Sequence, residues 1–180
     1  MRILAFDVST TTIGWCVLDC ENEKIKFVDC GFYKPPKDGN IFERLDKTKK
    51  DIKIIIDKYN PNTIAIEEII KFMKGHSGAQ TIIGLSVINR TVGLMAYDYL
   101  KFSPEMFSVL QIRHGIRRAA NLKVLPKKEE LPLIMENLLD INFPWLFNKK
   151  GNVKVESYDI SDAMCCAFYC ATKDTASKKK

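Results

Sequence analysis

Two short apolar runs in this chain each stop at an acid. Ile3-Leu4-Ala5-Phe6 stops at Asp7, and Ile64-Ala65-Ile66 stops at Glu67. Runs this short, bounded by polar residues, read as buried strands. Buried strands need cover from other elements, and the rest of the chain supplies candidates. After the polar turn Ser9-Thr10-Thr11-Thr12, Gly14-Trp15-Cys16-Val17-Leu18 reads as a second strand, and Lys24 to Val28 alternates as a third. These three make an antiparallel meander. Lys34-Pro35-Pro36-Lys37-Asp38-Gly39-Asn40 is a loop.

Helical spacing takes over from there. Ile41, Leu45, Ile52, Ile55 and Ile56 recur as one helix face, which Pro61 stops. Residues 77–100 form a long helical stretch, although Gly78, Gly84 and Gly93 lower its intrinsic stability, so close packing must offset them. Residues 107–110 read as a strand. Pro126 suits the first turn of a helix running to Leu139, residues 143–155 read as irregular, and Ser157 is placed to cap a last helix over 158–171. Three leading strands followed by alternating helices and strands describe an α/β fold, a mixed sheet flanked by helices. Ligands of such sheets gather at the carboxyl ends of the strands, where Asp7 and Glu67 both lie.

Length and composition bound this reading. A chain of 180 residues suits one domain and not two, so 1–172 is expected as a single domain and 173–180 as a basic tail. Hydrophobic residues at 46% imply a packed globule, and no apolar run approaches a membrane span. No long apolar stretch precedes Asp7, so an intracellular protein is expected. The net charge of +6 agrees with a polyanionic partner, although Lys178-Lys179-Lys180 supply half of it. Six cysteines at 16, 20, 30, 165, 166 and 170 contain no Cys-x-x-Cys step, and the last three follow an apolar helical pattern. They read as small core residues.

Four acids stand out by position. Asp159 and Asp162, in Ser157-Tyr158-Asp159-Ile160-Ser161-Asp162-Ala163, fall three residues apart and share one face of the last helix near its start. Acids at a helix start also complement the helix dipole. With Asp7 and Glu67 at two strand ends, however, all four can converge on one point, where they repel unless cations bind between them. Hard oxygen ligands with room for water suit Mg²⁺, with Mn²⁺ as a substitute. Two such ions about 4 Å apart can activate a water and stabilise the leaving oxygen in phosphodiester hydrolysis.

The local sequences around these acids resemble RuvC-type Holliday junction resolvases of the RNase H-like superfamily. Ile3-Leu4-Ala5-Phe6-Asp7 with Thr12-Ile13-Gly14 is similar to the family's opening strand and turn. Ile64-Ala65-Ile66-Glu67-Glu68 is similar to its second acidic strand, and Asp159-Ile160-Ser161-Asp162-Ala163 to its D-x-x-D-A helix. The resemblance implies an RNase H-like sheet and catalytic, metal-holding roles for Asp7, Glu67, Asp159 and Asp162. Glu68 is on the opposite strand face and is expected to be a non-ligand. Lys128 matches a family position that supports the cleavage centre, which makes it the candidate for transition-state charge support.

Arg113, His114, Arg117, Arg118, Lys123, Lys127 and Lys128 make the densest basic stretch before the tail. Of these, Arg113, Arg117, Arg118, Lys123 and Lys127 are candidate phosphate contacts. In Lys71-Phe72-Met73-Lys74-Gly75-His76, Phe72 resembles an aromatic that stacks on bases at the crossover, displaced slightly from the family's position, and Lys74 is a further candidate DNA contact. The 77–100 helix resembles the family's dimer helix, and a two-fold homodimer suits a two-fold junction. Function is therefore expected to be metal-dependent cutting of branched DNA. The alternatives are an RNase H-like nuclease for flaps, forks or RNA–DNA hybrids, and a non-catalytic branched-DNA-binding module. The irregular 143–155 segment and the cysteine usage depart from bacterial members and admit a viral or organellar relative.

Overall fold

A computed structural model describes residues 1–22, 24–69 and 79–174 of the chain. Strands β1 (Arg2–Val8), β2 (Ile13–Glu21), β3 (Lys24–Tyr33), β4 (Thr63–Glu67) and β5 (Glu105–Phe107) form one sheet in the order β3-β2-β1-β4-β5. β2 pairs antiparallel with β1 and β3, and β4 pairs parallel with β1 and β5. This is the expected mixed sheet. Helices α1 (Ile41–Tyr59), α2 (Ala79–Leu100), α3 (Val109–Ala119), α4 (Leu131–Leu139) and α5 (Val155–Thr172) cover it.

Strand alternation divides the core in two and decides where the acids point. Leu4, Phe6 and Val8 of β1, with Ile64 and Ile66 of β4, pack toward α1 and α2. Ile3 and Ala5 of β1, with Ala65 of β4, pack toward α3, α4 and α5. Asp7 continues the Ile3-Ala5 series and Glu67 continues from Ala65, so both acids face the α5 layer. All six cysteines lie in or against that layer and are free thiols. Burial pushes Cys30 and Cys170 up to about 12, in keeping with their role as packed, protonated core residues.

Several boundaries differ from the sequence reading: β2 and β3, expected over Gly14 to Leu18 and Lys24 to Val28, extend to Ile13–Glu21 and Lys24–Tyr33. The strand expected over 107–110 is Glu105–Phe107, because Ser108 accepts a hydrogen bond from the Gln111 amide and starts α3; Leu110 is exposed on that helix. Pro126 is buried ahead of a 3₁₀ turn at Lys128–Glu130, and the α-helix begins at Leu131 with Pro132 in its first turn. The last helix begins at Val155, so Ser157 lies inside it and does not cap it. Instead, the Ser157 Oγ accepts from the Leu146 amide at 3.0 Å, tying residues 143–155 to the helix. Asp159 therefore sits in the second turn, where helix-dipole stabilisation of an acid has largely faded.

The glycines of α2 need no close packing: a Cβ at Gly84 or Gly93 would meet Thr10 or Ile66 at ordinary contact distance, 3.7 and 3.9 Å. Ser77 and Gly78, the expected start of that helix, lie outside the described residues. Gly14 is different. It pairs with Asp7 across β1 and β2, and a Cβ there would stand 2.1 Å from the Asp159 carbonyl oxygen. That missing side chain lets α5 lie directly on the sheet beside the acids. Gly14→Ala must push α5 away and is expected to cost about 1–3 kcal/mol, as overpacking does. Thermal unfolding should show the melting temperature falling by several degrees; an unchanged value would mean that α5 is not seated on this glycine.

Candidate active site

Asp7 leaves the carboxyl end of β1, Glu67 ends β4, and Asp159 and Asp162 descend from α5 onto the same spot. With Ser9, Glu68, Ile69, Leu85 and Lys128, these acids line a cleft of about 210 Å³. One carboxylate oxygen from each of Asp7, Asp159 and Asp162 lies within 4.8 Å of the others. Glu67 stands on the cleft wall beside that triple, close enough for its charge to raise the Asp7 pKa.

The electrostatics follow from crowding four acids into a largely dry place. Asp7 is pushed well above the usual carboxylate range, first by burial and then by the charges of Glu67 and Asp162. Glu67 is pushed up to about 8, by burial and by Asp162. Asp162 is raised by burial, with Lys128 opposing. The Lys128 ammonium lies 2.9 Å from Asp162 Oδ2 and 3.2 Å from Asp159 Oδ1. Burial disfavours its charge, but the two aspartates outweigh this and hold its pKa above the ordinary lysine value. One ammonium does not balance four acids. The remaining negative charge and the all-oxygen donor set fit a hard divalent cation, which Asp7, Asp159 and Asp162 could hold.

The other sequence candidates take varied positions. Arg113 is half-buried on α3, donates to the Pro126 carbonyl at 3.2 Å, and lowers the pKa of both Glu67 and Asp162, so its charge reaches the cleft. Arg117 follows one turn later on the same helix, half-buried, and Arg118 is exposed beside it; Lys123 and Lys127 are exposed on the segment that leads to Lys128. His114 is exposed on α3. Glu68, also on the cleft wall, pairs with Arg90 of α2 at 3.2 Å and is not one of the three acids whose oxygens converge. Phe72, Met73, Lys74 and His76 lie outside the described residues.

Two residues beside the acids escape a sequence reading. Gly14 shows its importance only once α5 is seated on it. Asn89 is fully buried on α2, and its side-chain amide donates to the Glu67 carbonyl at 3.0 Å. The available signal was a polar residue on the inward face of an apolar helix, among Ile88, Val92 and Ala96.

A mixed five-stranded sheet, helices on both faces, and acids at the ends of adjacent parallel strands together define the RNase H-like class. Comparison with known proteins narrows this. The family profile of the crossover junction endodeoxyribonuclease RuvC matches residues 3–142. The RuvC of a Prochlorococcus marinus strain is 24% identical over 144 residues, which is 80% of this chain and 85% of the relative. That of Fusobacterium nucleatum is 29% identical over 116 residues, covering 64% and 58%. Thermus thermophilus RuvC, solved in complex with a Holliday junction substrate, shares the fold with a TM-score of 0.72 at 14% identity, covering 97% of this chain and 96% of its own. The yeast mitochondrial Holliday junction resolvase Ydc2 shares it at 0.63 and 14%, covering 98% and 82%. The chain belongs to the RuvC family. Because the profile match ends before α5, Asp159 and Asp162 join the candidate site through the packing of that helix.

The raised carboxyl groups have a sign. Glu67 holds its proton in the folded chain up to about pH 8, whereas an unfolded glutamate releases it near 4.5. The native state therefore binds more protons across that window, and the metal-free protein loses stability as pH rises from about 4.5 to about 8. Divalent ions favour the ionised acids and release protons on binding. Melting of the chelator-treated protein is expected to fall between pH 5 and pH 8, with Mn²⁺ restoring more at pH 8 than at pH 5. A flat profile in both conditions would contradict the crowding of these acids.

Proposed function

We propose that this chain is a Mg²⁺-dependent endonuclease that hydrolyses phosphodiester bonds in branched DNA, resolving four-way junctions by paired nicks. The observation that carries the reading is the approach of the Asp7, Asp159 and Asp162 oxygens to within 4.8 Å, at the end of a strand whose neighbour presents Glu67. Family membership points to the substrate: the matching relatives bear the name crossover junction endodeoxyribonuclease, and RuvC of T. thermophilus and the fowlpox virus resolvase are both solved with Holliday junction DNA.

The residues divide the work by chemistry. Asp7, Glu67, Asp159 and Asp162 would hold Mg²⁺, for which Mn²⁺ could substitute, and the metal would supply activation of a water and charge stabilisation for the leaving oxygen. Lys128, already against Asp159 and Asp162, keeps a positive charge where the phosphodiester gains negative charge. Arg113, Arg117, Arg118, Lys123 and Lys127 run along α3 and the segment after it toward Lys128, and give a basic track for the DNA backbone that positions the strand without reading its sequence. Phe72 and Lys74 follow the β4 strand in sequence and are candidates for contact at the crossover. Residues 1–172 act as one nuclease domain, and 173–180 as a basic tail.

A homodimer completes the scheme. Ile83, Val87, Leu94 and Tyr97 fall on one face of α2 at helical spacing, and all four are exposed. Ile83 and Val87 also line a groove of about 720 Å³ between α2 and α1, floored by Ile41, Leu45 and Ile88. An exposed apolar face of this kind suits a self-complementary two-fold contact, and a two-fold dimer supplies two cutting sites for the two equivalent strands of a junction.

The deciding experiment compares cleavage of a four-way junction, a flap and a linear duplex with Mg²⁺. The junction should be cut fastest, in two symmetric strands. Asp7→Asn should reduce its cleavage more than about a hundredfold, since even residues behind the ligands cost about 10- to 100-fold in metal sites, while junction binding stays within a few-fold of wild type. Equal cutting of all three substrates would favour a general RNase H-like nuclease, and an active Asp7→Asn would remove the carboxylate mechanism. Separately, Leu94→Glu is expected to convert a dimer to a monomer in sedimentation at micromolar concentration. A wild-type protein that is monomeric both free and on junction DNA would end the paired-cut scheme.

A further inference from the structure

The end of β4 is fixed by a residue that touches none of the acids' carboxylates. β4 pairs with β1 only as far as Phe6↔Ile66, one residue short of Glu67. Beyond it, the Glu68 amide donates to the Phe107 carbonyl of β5 at 2.8 Å. A trans peptide sends the preceding carbonyl the opposite way, so the Glu67 C=O points off β5, toward the β1 side, where the ladder has ended. Asn89 takes up that carbonyl: its Nδ2 donates to the Glu67 oxygen at 3.0 Å.

Asn89 is a poor choice for packing alone. It is fully buried, flanked on the inward face of α2 by Ile88, Val92 and Ala96, and its Oδ1 has no hydrogen-bond partner among the described residues. A leucine would fill the same kind of space without a stranded acceptor, which carries a desolvation penalty. What the asparagine adds is one directed bond to the backbone of Glu67. Its neighbour does the matching task for the next residue: Arg90 pairs with the Glu68 carboxylate. Two consecutive residues of α2 thus hold two consecutive residues of the acidic strand end, one by its backbone and one by its side chain.

We propose that Asn89 is the positioning residue for Glu67, fixing the strand end so that the Glu67 carboxylate stays aimed into the cleft, with Arg90 holding the Glu68 carboxylate at the cleft wall. This rests on the reading of Glu67 as a metal-holding acid. Asn89 acts through Glu67 and makes no contact with the reacting atoms. Its loss should weaken divalent-ion binding and leave the fold intact.

The test uses the full chain with Asn89→Leu, Asn89→Ser, Glu67→Gln and the Asn89→Leu/Glu67→Gln double variant, and measures Mn²⁺ binding by calorimetry alongside metal-free melting. Asn89→Leu should melt within a few degrees of wild type yet bind Mn²⁺ about tenfold more weakly, the range found for groups that orient metal ligands. Asn89→Ser, whose hydroxyl is too short to reach the carbonyl, should do the same, and gives the answer if the leucine variant fails to fold. Glu67→Gln should also weaken binding, and the double variant should be little worse than Glu67→Gln, because Asn89 has no route to the ion except through that acid. Unchanged Mn²⁺ affinity in folded Asn89→Leu or Asn89→Ser, with Glu67→Gln weakened, overturns the positioning role alone. Unchanged affinity in Glu67→Gln overturns the ligand reading beneath it.

Discussion

The seating of α5 on the central strands is the constraint from which the rest of the molecule takes its shape. The helix is buried over most of its length and carries Asp159 and Asp162 on the side that meets β1. It comes close because Gly14 presents no side chain to the Asp159 backbone. A second close approach, Gly115 of α3 against the Tyr169 ring, fixes the far end of the same helix and sets α3 beside it. Since α3 carries Arg113, whose charge acts on Glu67 and Asp162, the position of α5 governs both the acidic centre and the placement of that arginine.

The acids are held together against their own repulsion. Burial and mutual charge keep Asp7 and Glu67 raised, while Lys128 and Arg113 oppose this at Glu67. Such an arrangement does not favour a stable metal-free protein. Apolar packing on both sheet faces offsets the strain, with β1 wholly buried from Ile3 to Phe6. A cation held between Asp7, Asp159 and Asp162 would relieve that repulsion, so the packing that builds the fold also shapes what the cluster could bind.

The second layer, α1 and α2, does different work. α2 is apolar inward, where Ile88, Val92 and Ala96 meet the sheet, and also outward, at Ile83, Val87, Leu94 and Tyr97. This two-sided character blurs the helical periodicity of the sequence, and it also conceals Asn89, which reads as an incidental polar residue until its amide is seen on the Glu67 carbonyl. The boundary errors have local causes of a similar kind. Val109 and Leu110 have strand-like composition, but Ser108 with Gln111 closes a capping box and the helix wins. Ser157 looks like a cap because it precedes a run of helical spacing, yet its hydroxyl is used by Leu146 from the segment just ahead of the helix.

The sequence by itself determined the strand order of types, the placement of Asp7 and Glu67 at strand ends, and the shared face of Asp159 and Asp162, because these follow from periodicities of two and of 3.6 residues that any buried strand or helix must obey. The resemblance of its three acidic motifs to one family was likewise legible in the chain alone. Only the tertiary structure decided which face of the sheet α5 covers, that Gly14 is what admits it, that Lys128 reaches Asp159 and Asp162 from a turn far away in sequence, and that Asn89 tethers the β4 end. Each of these depends on residues distant in sequence meeting at a few ångströms, and such meetings are set by the packing of whole elements, which no local pattern records.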